Sequence, residues 1–233
     1  MKAMILAAGF GKRLRPLTET TPKPLLQVGD KPLLQYHLER LAAVGITEVV
    51  VNTSWLAEKI EDYFADGTAL GVNIHWSRES FPLETGGGIA KALPLLGSDP
   101  FLLINGDVWT DYPLGGFQLS ADAEAHLVLV DNPEHHPQGD FALVSDRVTL
   151  DVSPRYTFSG ISVVRPQLFA RYQTQHGGLD SFRWIDVMRP EIKSGLVTGE
   201  RYNGQWWDVG TVERLTLLDD QLKQTLKQDR DSF

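Results

Sequence analysis

The sequence predicts an α/β fold with one mostly parallel central sheet, helices on both faces, and antiparallel strands added in the second half. Up to about residue 110, short apolar runs alternate with amphipathic runs, which is typical of parallel βαβ units. Beyond that point, short apolar runs follow one another with little room for helices, which favours antiparallel strands. No repeat, low-complexity tract or linker interrupts the chain. We therefore predict one domain over residues 1–233, with halves of about 1–110 and 111–233.

In the first half, local signals give the limits of the predicted elements. Asp30 can cap a helix that has Pro32 in its first turn and that ends at Gly45. A second amphipathic helix stops at Asp66 and Gly67. The expected strands cover residues 4–8, 48–53, 71–77 and 101–104, and the second and third helices cover residues 55–64 and 87–96.

In the second half, the expected strands cover residues 126–131, 141–145, 148–152, 156–164 and 197–202. Helices are expected at residues 166–172 and 185–193. Thr211 can cap a closing helix. The apolar residues of that helix fall on one stripe: Val212, Leu215, Leu218, Leu222 and Leu226.

The composition excludes several classes of protein. The 233 residues carry a formal net charge of −8 at pH 7, which argues against broad nucleic-acid binding. No run approaches the roughly 20 apolar residues of a membrane span, and the N-terminus enters its first predicted strand without the pattern of a signal peptide. The absence of cysteine excludes disulfides and thiolate metal sites. We expect a cytoplasmic protein with no membrane or nucleic-acid partner, and the sequence leaves its oligomeric state open.

One stretch reverses the charge of the chain locally. Residues 6–26 read LAAGFGKRLRPLTETTPKPLL and contain four cations against a single acidic residue. Gly9 and Gly11 allow the backbone to approach a ligand closely, so that N–H groups can meet phosphate oxygens. The Arg and Lys side chains supply charge and further donors. A polyanion is therefore the expected partner of this stretch.

Two common nucleotide-binding motifs do not fit these residues. Leu14 stands where the Rossmann fingerprint requires a third glycine, and Arg13 follows Lys12 where the phosphate loop requires Ser or Thr. The longer pattern Leu-Ala-Ala-Gly-x-Gly-x-Arg-Leu-x-Pro-Leu-Thr, followed by Pro-Lys-Pro-Leu, resembles the signature of the sugar-1-phosphate nucleotidylyltransferases. The resemblance implies a single Rossmann-like nucleotidyltransferase domain of the GT-A-like type. It also implies a reaction in which an NTP and a sugar 1-phosphate give an NDP-sugar and pyrophosphate.

The resemblance assigns roles to residues of the stretch. Arg13 and Lys23 are the implied catalytic residues. Arg13 would hold the β- and γ-phosphates, and Lys23 would bridge the α-phosphate and the sugar phosphate. The implied nucleotide-binding residues are these two together with Leu6, Ala7, Ala8, Gly9, Gly11 and Lys12.

Two aspartates are candidate metal ligands. Asp107 follows an apolar run, at the end of a strand where open α/β sheets bind ligands, and Asp208 lies in the sequence Trp-Trp-Asp-Val-Gly-Thr. Each residue taken alone could serve as a turn or cap residue. In the resembling family, an Asp after such a strand and an Asp in a Trp-x-Asp-x-Gly-Thr setting together hold Mg²⁺, which prefers hard carboxylate oxygens. The resemblance therefore implies Mg²⁺ as the cofactor, held by Asp107 and Asp208.

The loop before the third predicted helix is expected to bind the nucleobase. In the family, a side chain five residues before a Gly-Thr pair, often Gln, bonds the edge of the base, and Glu79 has that spacing here. Its carboxylate could accept the N3–H of uracil or thymine or the N–H groups of guanine, whereas cytosine has no N3–H. Thr85 and Gly86 would approach the base with backbone groups. This chain departs from the pattern because Glu84 stands where many members have the glycine.

The sugar-binding half departs from the family at one motif. Residues 158–161 resemble the strand that lines the sugar pocket, but residues 151–155 replace the Glu-Lys-Pro motif that precedes it in many members. The sugar-site lysine therefore has no counterpart, and Arg155 or Arg147 is a candidate replacement. The implied sugar-binding residues are Asn105, Gly139, Asp140 and Gly160.

A narrower resemblance is carried by residues 126–143, which read HLVLVDNPEHHPQGDFAL. It favours the family members that use UTP and N-acetylmuramic acid α-1-phosphate in bacterial cell-wall recycling. Within it, His135 and His136 are expected to be exposed polar residues rather than metal ligands. One alternative is a nucleotidylyltransferase for mannose or glucose 1-phosphate that uses GTP, UTP or dTTP. Another is a regulatory member that binds a nucleotide sugar without turnover, although such members usually lack the cations and carboxylates present here.

Overall fold

The computed structural model of the chain describes residues 1–81 and 83–231, with side chains described through residue 228. Pro82, in the predicted base-binding loop, and residues 232–233, at the end of the predicted domain, lie outside the described residues. The strands are β1 Ala3–Leu6, β2 Gln27–Val28, β3 Lys31–Pro32, β4 Glu48–Thr53, β5 Asn73–Arg78, β6 Phe101–Asn105, β7 Val108–Thr110, β8 Ala125–Val130, β9 Phe141–Val144, β10 Arg147–Thr149, β11 Arg155–Val164, β12 Val197–Tyr202 and β13 Trp206–Asp208. The α-helices are α1 Leu17–Thr20, α2 Leu33–Ala43, α3 Ala57–Phe64, α4 Glu84–Leu96, α5 Gln167–Gln175, α6 Trp184–Lys193 and α7 Val212–Asp231.

Nine of these strands form one mixed sheet in the order β5-β4-β1-β6-β11-β8-β12-β10-β9. The first four are mutually parallel, as predicted for the first half of the chain. β11 then pairs antiparallel with β6 and β8, β10 pairs antiparallel with β9 and β12, and β12 runs parallel to β8. The predicted α/β fold, parallel first and with antiparallel additions later, is confirmed.

Helices cover both faces of the sheet because successive residues of a strand point to opposite faces. In β1, Met4 packs in one buried cluster with Ile89 of α4 and Phe169 of α5. The next residue, Ile5, packs in a second cluster with Leu38 of α2. Both clusters run along much of the sheet, so the two halves of the chain share their cores.

A third buried cluster lies under α7 and joins the two ends of the sequence. Leu14, from the loop after β1, is buried there against Val209, Leu218 and Leu222. Leu215, Leu218 and Leu222 of the predicted apolar stripe therefore fix the charged loop next to the segment that carries Asp208, whereas Val212, which was also predicted in the stripe, is exposed. Among the described residues, no helix has both the length and the apolar character that crossing a membrane requires.

Several element limits differ from the prediction. Asp30 does not cap the first long helix, because Lys31–Pro32 pairs with β2 and the helix begins only at Leu33. The third predicted helix, α4, begins at Glu84, three residues earlier than expected. β7, a three-residue strand that follows directly on Asp107, was not predicted.

Candidate active site

A cavity of about 450 Å³ lies at the carboxyl ends of β1 and β6. β1 pairs with β4 on one side and with β6 on the other, and crevices at such reversals of strand order bind ligands in open α/β sheets. The structure brings together around this cavity ten of the eleven predicted nucleotide-binding residues, all except Gly86. These lining residues are Leu6, Ala7, Ala8, Gly9, Gly11, Lys12, Arg13, Lys23, Glu79 and Thr85. The predicted sugar-binding Asn105 and the candidate metal ligand Asp107 also line the cavity.

Glycines allow the walls of the cavity to approach one another. The Gly106 N–H donates to the Leu6 carbonyl oxygen at 2.9 Å, and a Cβ at residue 106 would lie 2.6 Å from that oxygen. The ends of β1 and β6 can therefore meet only with glycine at this position. At Gly9, no described atom lies within 4 Å of the point that a Cβ would occupy, so the backbone there is open towards the cavity. Gly11 has a φ of 62°, a conformation that favours glycine.

A short two-stranded ribbon brings the two candidate metal ligands together. β7 pairs antiparallel with β13, with Asp208 opposite Val108. The Val209 N–H also donates to the Asp107 carbonyl oxygen at 2.7 Å. Residues that are far apart in sequence are thereby placed side by side at one end of the cavity.

Each of these aspartates is paired with a cation. Asp107 Oδ2 lies 2.7 Å from Lys23 Nζ, whose side chain is 12% exposed. Both carboxylate oxygens of Asp208 lie 2.7 Å from Arg214 Nη1. Arg214, in the first turn of α7, was not among the predicted site residues, because nothing in its local sequence distinguishes it from a surface helix cation.

The two carboxylates are chemically suited to Mg²⁺. Among the described residues, no cluster of three His, Asp or Glu side chains forms a metal site supplied by the protein alone. Mg²⁺ commonly uses one or two carboxylates and completes its shell with waters and substrate phosphates. Asp107 lines the cavity, and Asp208, which does not line it, lies on the backbone segment bonded to Asp107, so the two carboxylates would provide that donor set if Lys23 and Arg214 gave up part of their contact with them.

The cations of the loop after β1 occupy different positions. A short 3-10 turn carries Lys12 and Arg13 towards the cavity, while the next residue, Leu14, is buried and holds the turn in place. Arg13 Nη2 lies 3.1 Å from the point that a Cβ on Gly210 would occupy. Arg15 is exposed and does not line the cavity.

Glu79 is part of a buried polar network. Its side chain is 5% exposed, and its Oε1 accepts a hydrogen bond from Asn52 Nδ2 at 2.7 Å. The other amide atom of that side chain, Asn52 Oδ1, accepts the N–H of Ala7 at 2.8 Å. Oε2 of Glu79 accepts only a long hydrogen bond, at 3.4 Å, from the Leu83 N–H. Burial raises the pKa of Glu79, and the donor from Asn52 opposes that shift.

The glycines at the start of α4 serve close packing. The N–H groups of Gly86 and Gly87 both donate to the Phe182 carbonyl oxygen, at 2.9 and 3.1 Å. A Cβ at Gly86 would lie 2.4 Å from the ring of Phe182. The Gly86 N–H, expected to face the base, is therefore bonded within the protein, and Gly86 is buried outside the cavity lining. Glu84, where the family resemblance expects glycine, has a φ of 58°, which is uncommon for a residue with a side chain.

The four predicted sugar-binding residues separate into two groups. Asn105 lines the cavity. Gly160 packs against Asn105, since a Cβ at Gly160 would be 2.8 Å from Asn105 Cβ. Gly139 and Asp140 lie instead in the loop before β9 and contact β11. Asp140 Oδ2 accepts the Phe158 N–H at 2.8 Å, and a Cβ at Gly139 would be 2.9 Å from the Arg155 carbonyl carbon.

The two candidate replacements for the missing lysine are directed elsewhere, which corrects that expectation. Arg155 donates to the Leu150 carbonyl oxygen in its own loop. Arg147 pairs with Asp122 and donates to the Gly195 carbonyl oxygen at 3.0 Å. Neither guanidinium is aimed at the cavity, because each completes the hydrogen bonds of a nearby turn.

The adjacent histidines have contacts that sequence reasoning missed. His135 is exposed, as expected, yet its Nε2 lies 3.1 Å from Asp208 Oδ1 and it contacts Arg214. His136 Nε2 lies 3.1 Å from Asp140 Oδ1. The loop that carries them therefore reaches both a candidate metal ligand and a candidate sugar ligand.

Comparisons with known proteins show the family of the chain. A family model described as nucleotidyl transferase matches residues 2–153. The chain is 49% identical over 224 residues to N-acetylmuramate alpha-1-phosphate uridylyltransferase of Neisseria meningitidis serogroup B, covering 92% of this chain and 95% of that protein. It is 32% identical over 229 residues to mannose-1-phosphate guanyltransferase of Schizosaccharomyces pombe, covering 90% of this chain and 61% of that longer protein.

Solved structures support the fold. A Bacillus anthracis protein assigned as a glucose-1-phosphate thymidylyltransferase matches with a TM-score of 0.86 at 20% identity, covering 96% of this chain and 95% of that one. HddC from Yersinia pseudotuberculosis, complexed with GMP-PN, matches with a TM-score of 0.79 at 22% identity, covering 95% of this chain and 99% of that one. At these identities the likeness concerns the fold.

Proposed function

The chain belongs to the nucleotidyl transferase family, and from this premise we propose that it transfers a uridylyl group from UTP to N-acetylmuramic acid α-1-phosphate. The products are UDP-N-acetylmuramic acid and pyrophosphate, and the reaction serves peptidoglycan recycling in the cytoplasm. One observation carries the proposal, the 49% identity to the uridylyltransferase of N. meningitidis over nearly the whole of both chains. The mannose-1-phosphate guanyltransferases are 30–35% identical over most of this chain. They therefore support GTP and mannose 1-phosphate as substrates less strongly than the uridylyltransferase supports UTP and N-acetylmuramic acid α-1-phosphate.

In the proposed reaction, a phosphate oxygen of the sugar 1-phosphate attacks the α-phosphorus of UTP, and the bond to the pyrophosphate oxygen breaks. The attacking oxygen is already an anion, so no side chain has to act as a general base. The obstacle is repulsion, because two unit charges about 4 Å apart repel by about 4 kcal/mol at an effective dielectric near 20. Catalysis therefore depends on placed cations and on alignment of the reacting groups.

The cations of the cavity suit this task. We assign Arg13 to the β- and γ-phosphates, where it stabilises the leaving pyrophosphate, and Lys23 to the α-phosphate and the sugar phosphate. Lys23 is largely buried and is held by Asp107, which limits the freedom that it loses when a substrate binds. The open backbone at Gly9 and the neighbouring Gly11 seats the nucleotide.

Asp107 and Asp208 would hold Mg²⁺, which supplies Lewis-acid stabilisation of the negative charge on the phosphates when it is bound. With the metal held there, Lys23 would be released in part from Asp107 and could donate to phosphate oxygens at the same end of the cavity.

Glu79 is proposed to bind the base. Asn52 fixes one carboxylate oxygen, and the other has only the long contact with Leu83, so it can accept the N3–H of uracil. A carboxylate in this position disfavours cytosine, because N3 of cytosine is itself an acceptor. Thr85 and Asn105, which line the same cavity, are the proposed partners of the base and the sugar.

The test is a matrix of pyrophosphate release with Mg²⁺. Each of the four common NTPs is combined with the 1-phosphates of N-acetylmuramic acid, N-acetylglucosamine, glucose and mannose. Lys23→Ala serves as the inactive control, and Lys31→Ala, which removes a lysine paired with Glu39 outside the cavity, serves as the matched active control. We expect turnover with UTP and N-acetylmuramic acid α-1-phosphate and none of comparable rate with the other pairs.

A preference for GTP or dTTP with a hexose 1-phosphate would refute the substrate assignment and retain the family chemistry. Nucleotide binding without release of pyrophosphate from any pair would support the regulatory alternative instead.

A further inference from the structure

Arg214 lies at the boundary between the closing helix and the cavity. Thr211 caps the start of α7 by accepting the Arg214 N–H at 3.3 Å, which fixes the backbone of this residue. The guanidinium Nη1 contacts both oxygens of Asp208 at 2.7 Å and also contacts His135. Although it belongs to a surface helix, the Arg214 side chain is only 14% exposed.

A second guanidinium converges on the same place. The point that a Cβ on Gly210 would occupy lies 2.2 Å from Arg214 Nη2 and 3.1 Å from Arg13 Nη2. Gly210 lines the cavity, and its missing side chain leaves both guanidinium groups next to that space. Arg214 is paired with Asp208, whereas Arg13 forms no ion pair with any described residue, so the two permanent cations together carry more charge than the one carboxylate neutralises and an anion can neutralise the rest.

We propose that Arg214 is a second phosphate-binding guanidinium of this site, held by Asp208 until a divalent cation takes that carboxylate. The inference rests on the proposed function, since it makes the triphosphate of the nucleotide the anion in question. Arg214 would then donate to the β- and γ-phosphate oxygens beside Arg13 and stabilise the same leaving group. In the protein without substrate, its contact with Asp208 keeps both side chains in position.

The proposal differs from a structural role in what it predicts for metal binding. If Arg214 only tied α7 to β13, its removal would loosen Asp208 and weaken any metal site that uses it. If Arg214 competes with the metal for Asp208, its removal frees the carboxylate and strengthens the binding of a divalent cation.

The experiment compares the wild type with Arg214→Ala and Arg214→Lys. Arg171→Ala is the matched control, because Arg171 pairs with Glu191 on the surface of α5, away from the cavity. Binding of Mn²⁺ to the nucleotide-free protein is followed by the EPR signal of free Mn²⁺. The KM for UTP and the kcat are measured separately by pyrophosphate release.

We expect Arg214→Ala to bind Mn²⁺ about three- to tenfold more tightly, the scale of losing one partly exposed competing ion pair. Its KM for UTP should rise about tenfold or more, as expected for loss of charge-assisted hydrogen bonds to phosphate. Arg214→Lys, which keeps the charge without the bidentate geometry, should give intermediate values of both quantities. Arg171→Ala should match the wild type.

If Arg214→Ala binds Mn²⁺ no more tightly than the wild type does, the proposed competition between Arg214 and the metal for Asp208 is wrong. If its KM for UTP and its kcat are unchanged, the proposed contact between Arg214 and the phosphates is wrong. If Arg214→Ala does not fold, Arg214→Lys decides both points by the same criteria. The Mn²⁺ comparison needs neither substrate nor turnover. A wild type that releases no pyrophosphate from any substrate pair would therefore refute the proposed function without hiding the result for Arg214.

Discussion

Asn52→Asp is the most direct test of the buried network behind the cavity. In the wild type, Asn52 is 3% exposed, and its two amide atoms bond the Ala7 N–H at 2.8 Å and Glu79 Oε1 at 2.7 Å. The substitution has the same shape and keeps the acceptor for Ala7. It replaces the N–H donor to Glu79 with a second carboxylate oxygen.

The expected loss of stability of Asn52→Asp at pH 7 is set by the smaller of two costs. Two unit charges 2.7 Å apart at an effective dielectric near 20 repel by about 6 kcal/mol. Protonating one carboxyl group at pH 7, starting from an ordinary pKa of about 4.3, costs about 3.7 kcal/mol. Protonation is the cheaper alternative, so the pair takes up one proton and the loss of stability at pH 7 is limited to about 4 kcal/mol.

The same reasoning predicts the dependence on pH. The pKa of the carboxyl pair in Asn52→Asp is raised in the folded state, so the destabilisation is present at neutral pH and decreases as the pH falls. Between pH 7 and pH 5 the free energy of unfolding relative to the wild type should recover by about 1.4 kcal/mol per pH unit.

The assay is urea unfolding of both proteins at pH 5, 6 and 7. Asn73→Asp is the matched control, because Asn73 also donates to a glutamate, Glu48 at 3.2 Å, but on the exposed edge of the sheet. It should change stability far less. A deficit for Asn52→Asp below about 1 kcal/mol at pH 7, or one that does not vary with pH, would refute the reasoning.

Four other substitutions test the site and its packing. Lys23→Ala and Asp107→Ala should each lower kcat by at least about 10²-fold, the scale of losing a preorganised charge contact, and near-normal pyrophosphate release by either would remove that residue from the mechanism. Burial raises the pKa of Glu79, so the charged form of its side chain disfavours the folded state once the pH rises above the ordinary pKa of Glu, about 4.3. Glu79→Gln should therefore gain stability relative to the wild type as the pH rises above that value, and urea titrations with the opposite slope would contradict this. Gly87→Ala places a Cβ 2.1 Å from the Asp180 carbonyl oxygen and should cost about 1–3 kcal/mol, so an unchanged Tm would contradict the packing role.

The sequence was sufficient for the parallel half of the fold, because each element there carries its own signal. The β-branched run at residues 48–53 predicts β4 with its observed limits, Glu48–Thr53. The loop after β1 was also recognisable, since its glycines and cations are contiguous and their chemistry does not depend on distant residues. The elements of the parallel half and the loop after β1 are determined by hydrophobic periodicity and local composition, and both can be recognised from consecutive residues.

The features that the sequence did not provide depend on pairing between distant segments. β7 has three residues, too few for a periodic signal, and it is stabilised by β13 almost a hundred residues later. Asn52, at the end of β4, looks like any buried strand residue until its side chain meets Glu79. The glycine run at the start of α4 indicates a turn or hinge when it is considered alone, and only the contact with Phe182 shows that the space beside it is filled.

The same long-range placement explains how an acidic chain can present a cationic site. Each candidate metal ligand is paired with a cation to which we assign phosphate: Asp107 pairs with Lys23, which has that role in the proposed reaction, and Asp208 pairs with Arg214, which has it in the further inference. A partly buried charge without a partner is costly, so a preformed set of free cations, or of free carboxylates, would destabilise the protein before substrate arrives. When the nucleotide binds, Lys23 and Arg214 would donate to its phosphates and the two aspartates would hold a divalent cation, so that each ion pair would be exchanged rather than broken. The repulsion between the two polyanionic substrates is then met by cations that were already in position, at little cost in reorganisation.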